Sequence, residues 1–271
     1  MSKQKKRAAA LGLVLLLAGW TLWGNMAVEV NEYTVRSYRI PEEFTGFRIA
    51  QISDFHNASF GDRVLEKLKG ADPDIIVITG DLIDSRRTNV EISLDFARKA
   101  MEIAPVYYVC GNHESRVTEY TALKEGLDLA GVVRLEFEKV SIQRDGAAIT
   151  IIGLNDPSFL VDPGVILNIL MEDSEGYTVL LSHRPERFEE YVDAGVDLAF
   201  TGHAHGGQVR LPVIGGLIAP NQGYFPKYDA GSFTEGFTTM LVSRGVGNSL
   251  CPLRFNNRPE IVVAVLEPYV H

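Results

Sequence analysis

Short apolar runs alternate with amphipathic segments over most of the chain. The apolar runs are rich in β-branched residues, a composition that predicts strands buried on both faces. They cover residues 47–53, 75–79, 106–110, 178–181 and 196–201. The segments 62–69, 90–101 and 117–129 place apolar residues three and four positions apart, which is typical of helices with one buried face. This alternation of strands and helices predicts a layered α/β fold.

Shorter apolar runs lie between and after these elements. Residues 29–39 predict a leading strand, and 132–137, 141–143 and 149–153 predict short strands in antiparallel arrangement. The tail adds runs near 208–211, 238–243 and 261–266. These extra strands predict a second sheet packed against the first.

The N-terminus forms a separate unit. An uncharged run at 8–28 is close in length to the roughly 20 residues that a helix needs to span a bilayer. Lys and Arg residues precede it, and Trp20 and Trp23 lie near its far end, where interfacial aromatics are common. A cleaved signal peptide is the alternative, but its apolar core is usually shorter, about 7–15 residues. We therefore predict a cytoplasmic basic stub and membrane anchor at 1–28, followed by one large domain at 29–271.

Charge and cysteine content narrow the location and the partners. Basic flanks stay in the cytoplasm, so we expect a single-pass protein of the cell membrane with its 29–271 domain outside the cytoplasm. The net charge is −9 and the cationic residues of the domain are scattered, which argues against nucleic acid as a partner. A disulfide between Cys110 and Cys251 is left open, with a buried Cys110 thiol as the simpler interpretation. The sequence also leaves the oligomeric state open.

Polar side chains with metal-binding chemistry follow five of the predicted strands. They are Asp54, His56, Asp81, Asn112, His113, His183, His203 and His205. These positions include five of the six histidines in the chain, and most stand beside Gly or Ser. Because α/β sheets bind ligands at the carboxyl ends of their strands, we expect these side chains to meet at one site.

The donor set indicates which metals this site would take. Carboxylate, amide oxygen and imidazole suit Mn, Fe or Zn better than copper, and the imidazoles argue against Mg or Ca alone. There are enough ligands for two ions, which can clamp a phosphoryl group when they lie about 3.5–4 Å apart. Such a pair needs a bridging carboxylate, for which Asp81 is the natural candidate.

The order of these motifs resembles the calcineurin-like metallophosphoesterases over residues 47–266. The motifs are Asp54-Phe55-His56-Asn57, Gly80-Asp81-Leu82-Ile83-Asp84, Gly111-Asn112-His113-Glu114, Ser182-His183-Arg184-Pro185-Glu186 and Gly202 through Gln208. Their details are similar to a membrane-anchored or secreted bacterial branch, which includes UDP-2,3-diacylglucosamine pyrophosphatase-like enzymes and general phosphodiesterases. The resemblance implies a four-layer α/β/β/α sandwich of the metallo-dependent phosphatase type, here preceded by the transmembrane helix.

The resemblance also implies roles for individual residues. One metal would be bound by Asp54, His56 and His205, and the other by Asn112, His183 and His203. Asp81 would bridge the two metals together with a hydroxide. His113 would contact the phosphate and protonate the leaving oxygen rather than bind metal.

The expected function is a di-metal phosphohydrolase that uses Mn²⁺, with Fe or Zn as alternatives. Its substrate would be a phosphodiester or pyrophosphate, for example a lipid- or sugar-linked phosphate such as UDP-2,3-diacylglucosamine. That nucleotide lipid is normally met in the cytoplasm, which conflicts with the outward topology, so a cell-wall phosphodiester is an alternative. A non-catalytic metal-binding scaffold is a further alternative. The glycine- and aromatic-rich segment 206–233 either shapes the substrate pocket and meets lipid, or packs as a hairpin with its own core.

Overall fold

Two six-stranded sheets lie face to face in a computed structural model that describes residues 2–159, 162–248 and 253–269. The strands are β1 (Glu29–Ser37), β2 (Arg48–Ile52), β3 (Ile75–Thr79), β4 (Val106–Val109), β5 (Val133–Arg134), β6 (Glu138–Arg144), β7 (Ala147–Gly153), β8 (Tyr177–Leu181), β9 (Leu198–Thr201), β10 (Arg210–Leu211), β11 (Gly215–Gly216), β12 (Ile218–Ala219), β13 (Gly223–Tyr224), β14 (Gly231–Glu235), β15 (Thr238–Val242) and β16 (Glu260–Pro268). The α-helices are α1 (Lys3–Gly24), α2 (Gly61–Gly70), α3 (Val90–Met101), α4 (Tyr120–Leu129), α5 (Pro163–Glu172) and α6 (Phe188–Asp193). Short 3₁₀ turns cover Glu42–Phe44, Glu114–Arg116, Pro157–Phe159, Pro185–Arg187 and His205–Gly207.

The first sheet has the strand order β1-β16-β2-β3-β4-β5. Strands β2 to β5 are parallel, and β16 runs antiparallel to β2. Helices α2, α3 and α4 connect the parallel strands and cover the outer face, where Leu68, Phe96 and Leu123 pack. Successive strand residues point to opposite faces, so Ile76 meets the helices while Val77 meets the other sheet. This double burial explains why the β3 segment is wholly apolar.

The second sheet has the order β14-β15-β9-β8-β7-β6. Strands β7, β8, β9 and β15 are parallel, while β6 and β14 are antiparallel edge strands. Helices α5 and α6 pack on its outer face through Leu167, Phe188 and Tyr191. An apolar core fills the space between the sheets, including Ile49 and Val109 from the first and Val179 and Phe200 from the second. The predicted four-layer α/β/β/α arrangement is therefore confirmed.

One prediction about the short strands is wrong, and one short strand was not predicted. The run 132–137 forms a strand only at Val133–Arg134, and it pairs parallel with β4 rather than antiparallel. It follows the crossover through α4, and such a crossover returns the chain in the parallel direction. The strand β14 was not predicted because its sequence is polar and half-exposed, as befits an edge strand.

The helix α1 stands apart from both sheets. It has 22 residues and, within the described chain, no buried one, and it is long and apolar enough to cross a membrane. Cys110 is buried as a free thiol at the end of β4. The possible disulfide with Cys251 lies outside the described residues.

Candidate metal centre

The carboxyl ends of five strands, β2, β3 and β4 of one sheet and β8 and β9 of the other, meet at one edge of the sandwich. All eight predicted site residues follow these strand ends, and all are buried. The structure therefore brings together the complete set that the sequence predicted.

Unusual backbone geometry marks the same residues. Five of them have φ between 47° and 63°, in the left-handed region that non-glycine residues seldom adopt. These are Asp54, His56, Asp81, His203 and His205. Each such position costs about 1–3 kcal/mol and persists only where the surrounding structure enforces it, typically at functional sites.

The first group of side chains that could hold a metal ion consists of Asp54, His56 and His205. Nε2 of His205 lies 3.2 Å from Oδ1 of Asp54 and 3.3 Å from Nε2 of His56. Oδ2 of Asp54 accepts hydrogen bonds from Oγ of Ser53 and the backbone N–H of His203, at 2.7 and 3.1 Å. Its buried Oδ1 has no hydrogen-bond partner among the described residues, which suits a cation ligand.

The second group consists of Asp81, His183 and His203. Nε2 of His183 lies 3.2 Å from Oδ2 of Asp81 and 3.2 Å from Nδ1 of His203. Nδ1 of His183 is 2.8 Å from the carbonyl of Thr79, so this nitrogen carries a proton and Nε2 is the atom that faces the site. Burial lowers the pKa of His183, but the charge of Asp81 raises that pKa to about 10. The buried Oδ1 of Asn112 likewise lacks a hydrogen-bond partner in the described part of the chain.

Asp81 links the two groups. It also belongs to a third potential metal group with His56 and His113, and its Oδ2 is 3.7 Å from Nε2 of His56. Burial alone raises the pKa of Asp81, but His183, His56 and His113 together hold that pKa well below its usual range. An ionised carboxylate at this position can face both metal groups at once.

Burial keeps the other imidazoles neutral, as metal ligands must be. It is the largest cause that lowers the pKa of His56, His203 and His205, in each case to about 3. The neighbouring His183 and the guanidinium of Arg184 lower the pKa of His203 further. Nη1 of Arg184 is 2.7 Å from Nε2 of His203, and the guanidinium pairs with Asp156 at 2.9 Å.

His113 faces a cavity of about 180 Å³ that opens over the centre. Its Nδ1 accepts a hydrogen bond from the backbone N–H of Ser85 at 3.0 Å. In the neutral ring the proton therefore resides on Nε2, which is 3.9 Å from Oδ2 of Asp81. Burial lowers the pKa of His113. The ring is thus held as a neutral N–H donor beside the metal groups.

Two glycines allow the close packing of the ligands. A Cβ on Gly111 would lie 2.3 Å from Oδ1 of Asp81, and one on Gly202 would lie 1.8 Å from Oγ of Ser53. Neither site has room for a side chain, which explains the glycines that flank the predicted ligands.

Glu114 supports the site although the sequence alone predicted no role for it. It is the last residue of the Gly111–Glu114 motif. This buried carboxylate accepts the backbone N–H groups of Asp81, Ile83 and Gly111 at 3.0, 3.2 and 2.8 Å. It therefore fixes the two loops that carry Asp81 and Asn112. Burial and the charge of Asp81 raise the pKa of Glu114 to about 7.

Arg254 and Asn221 also reach the centre, without any local signal in the sequence. The guanidinium of Arg254 is buried, and its Nη2 lies 3.5 Å from Nδ1 of His205. Oδ1 of Asn221 lies 3.0 Å from Nε2 of His203. Both residues are distant along the chain from the histidines they meet, so only the fold reveals the contacts.

Comparisons with known proteins agree with this geometry. A family model described as calcineurin-like phosphoesterase matches residues 47–207, a range that contains all eight predicted site residues. The uncharacterized metallophosphoesterase YkuE of Bacillus subtilis is 35% identical over 254 residues, with 89% of this chain and 86% of that protein covered. The phosphodiesterase YaeI of Escherichia coli is 29% identical, with 81% and 82% covered.

A solved structure supports the fold separately. TT1561 of Thermus thermophilus superposes with a TM-score of 0.53 at 11% identity, covering 74% of this chain and 91% of that one. This chain belongs to the calcineurin-like phosphoesterase family and is a metal-dependent phosphoesterase. The predicted family is therefore confirmed.

Proposed function

We propose that this phosphoesterase holds two divalent metal ions at the strand ends and hydrolyses a phosphodiester or pyrophosphate bond. The observation that carries the proposal is that Asp81 belongs to two potential metal groups and shares His56 with the first group through one of them. In addition, the buried Oδ1 atoms of Asp54 and Asn112 have no partner among the described residues. A single ion would use only one of these groups.

The proposed ligand sets are those that the family resemblance implies, and the contacts among Asp54, Asp81 and the histidines support them. Asp54, His56 and His205 hold one ion, Asn112, His183 and His203 hold the other, and Asp81 binds both. The neutral amide of Asn112 limits the negative charge of the site, which favours an anionic substrate. Mn²⁺ is our first choice of metal, with Fe or Zn as alternatives, because carboxylate and imidazole donors suit these ions.

The chain's own residues then direct the reaction. Two divalent ions supply charge neutralisation at the phosphoryl oxygens and an activated water at neutral pH. His113 presents its Nε2–H to the cavity and stabilises the charge that develops on the leaving oxygen by donating a hydrogen bond to it, while the Ser85 N–H fixes the ring. Glu114 holds the Asp81 and Gly111 backbones in place as charge shifts at phosphorus.

The substrate class and the location are proposals of their own. The phosphodiesterase named among the relatives supports a diester. We propose a lipid- or sugar-linked phosphate, of which UDP-2,3-diacylglucosamine is one example, with a cell-wall phosphodiester as the second candidate. The helix α1 would anchor the protein in the cell membrane, and its basic flank supports a location of the 29–271 domain outside the cytoplasm.

The test uses the full chain in detergent micelles, stripped of metal and reloaded with manganese. We expect turnover of bis-p-nitrophenyl phosphate that exceeds turnover of the monoester and reaches its maximum at two ions per chain. Asp81→Asn should abolish turnover and lower the bound metal, whereas Asp173→Asn, at an exposed carboxylate after α5, should change neither. Full turnover at one ion would contradict the two-metal proposal. Two bound ions without turnover of either ester would favour the scaffold alternative.

A further inference from the structure

An apolar lobe, residues 211–225, follows the metal ligands His203 and His205. It consists of the small hairpins β10–β11 and β12–β13, joined where the N–H of Phe225 donates to the carbonyl of Leu217 at 2.9 Å. The base of the lobe is anchored, because Ala219 packs into the outer core of the second sheet. Large apolar side chains are exposed at the turn of its first hairpin and at the open end of its second hairpin. They are Val213, Ile214, Ile218, Tyr224 and Phe225.

The exposure of these side chains is unusually high. Val213 is fully exposed, and Tyr224 and Phe225 are 79% and 67% exposed. Val213 also has a φ of 71°, a conformation that disfavours β-branched residues. Soluble monomers seldom expose groups of large apolar side chains except where these contact a partner or a membrane.

The lobe borders the catalytic cavity. Pro220 and Asn221, at the turn of its second hairpin, line that cavity beside His113 and His203. At the other end of the lobe, the side chain of Arg210 donates to the carbonyl of Gly206 at 3.0 Å. Whatever the lobe contacts is therefore also next to the entrance of the site.

The end of α1 lies beside the base of the same lobe. The N–H of Arg210 donates to the carbonyl of Phe255, and Arg254, one residue earlier, exchanges two hydrogen bonds of 2.8 Å with the side chain of Asn25. Asn25 directly follows α1. Segment 253–258 thus joins the lobe on one side to the end of the membrane helix on the other, and Arg258 stacks over Trp23.

The charge of the lobe fits a bilayer surface. Residues 211–226 contain no charged side chain and are flanked by Arg210 and Lys227, in a chain whose net charge is −9. No carboxylate within residues 211–226 would have to leave water when the exposed side chains enter the interface. The carboxylate of Asp229, which accepts from the N–H of Gly216, is paired with the guanidinium of Arg210 at 2.9 Å. A surface that binds another protein would not need to be free of charged side chains in this way.

We propose that the exposed apolar side chains of the lobe insert into the bilayer that holds α1. The catalytic cavity then opens at the membrane surface and takes phosphate esters of amphiphiles that remain embedded in the lipid. Insertion of the lobe is independent of the chemistry, whereas the substrate class rests on the proposed function.

The test places a tryptophan at the lobe in the full chain. Ile214→Trp is made in a background with Trp20→Phe and Trp23→Phe, and the protein is reconstituted by α1 into phosphatidylcholine vesicles. We expect lipids brominated on the acyl chains to quench this tryptophan about twofold, since interfacial apolar groups sit roughly 5–10 Å deep at the headgroup and acyl boundary. A matched control is Phe237→Trp, an exposed aromatic in the turn that leads into β15, at the end of the sheet away from the site. We expect no quenching there.

A second measurement separates this inference from the proposed function. The double variant Val213→Asp with Ile214→Asp should hydrolyse a fluorogenic phosphodiester with a lipid tail, presented in vesicles, about tenfold more slowly. This corresponds to a loss of roughly 1.4 kcal/mol in transition-state binding. Its turnover of soluble bis-p-nitrophenyl phosphate should not change. Equal quenching of the tryptophans at positions 214 and 237 would overturn the proposed insertion. A blue-shifted fluorescence of the tryptophan at position 214 that lipid bromine does not quench would also overturn it, because it would indicate a contact with protein. If the parent chain hydrolyses neither ester, the proposed function fails, and the quenching result still decides the insertion.

Discussion

The metal centre and the apolar lobe lie side by side but are built in opposite ways. At the centre, eight polar residues are buried at the ends of parallel strands, and their backbones are held by the sheets and by Glu114. In the lobe, strands of two residues carry large apolar side chains that face outward. The centre thus holds its polar atoms through many buried contacts, which is typical of a rigid site, whereas the exposed lobe has few such contacts, which is typical of an adaptable surface. Because a rigid site and an adaptable surface share the same entrance, mutations in the two regions should have different kinds of effect.

The largest loss of activity is expected from a substitution of His113, which tests its role within the centre. His113→Ala should lower kcat about 10²–10³-fold, the usual cost of removing a donor that faces developing negative charge. The loss should be larger for a phenyl ester than for a p-nitrophenyl ester, because the better leaving group accumulates less charge on its oxygen. The bound metal, measured by plasma emission, should stay at two ions per chain. Loss of one ion would show instead that His113 is a ligand in its potential group with His56 and Asp81.

Gly202→Ala tests the close packing of the centre. The new Cβ would lie 1.8 Å from Oγ of Ser53 and 2.5 Å from Oδ2 of Asp54, so the strand ends must move apart. Overpacking of this kind costs about 1–3 kcal/mol of stability. We expect a lower melting temperature and weaker manganese binding. Gly70→Ala, at a helical position with open space around it, should show neither loss.

Glu114→Gln tests a positioning residue that contacts no substrate. The amide replaces one carboxylate oxygen by an N–H donor, which must then face a backbone N–H donor. We expect manganese affinity to fall about 10–100-fold, as is usual when a partner of a ligand is lost. Calorimetric titration checks this, with the exposed Glu172→Gln as control. Unchanged affinity with normal turnover would show that Asp81 keeps its place without Glu114.

The smallest expected effect lies in the lobe. Val213→Gly removes a left-handed strain of roughly 1–2 kcal/mol but adds chain entropy of about 0.5–1 kcal/mol, so the protein should become slightly more stable. Val165→Gly, at an exposed position in the first turn of α5, should have the opposite sign and cost up to about 1 kcal/mol. Thermal melts in detergent compare the two variants. Soluble diester turnover should not change in either, and a loss in Val213→Gly would make the lobe part of the centre.

The local periodicity of apolar residues predicted much of the fold. The bounds of β3 and α3 agree with the prediction to the residue, because a fully buried strand and an amphipathic helix leave strong apolar patterns. The short strand Val133–Arg134 was misjudged in length and direction, since two residues give no pattern and the direction depends on the helix before it. The half-exposed strand Gly231–Glu235 was missed for a similar reason.

The sequence by itself determined which residues could bind metal, since each predicted ligand directly follows an apolar strand and the order of the motifs is distinctive. The tertiary structure decided which of them meet, which nitrogen each ring presents, and that Glu114, Asn221 and Arg254 support them. It also placed the apolar lobe beside the end of α1, through segment 253–258. The physical reason is that local pattern encodes burial, whereas contacts between distant segments depend on strand order and crossovers, which periodicity does not specify.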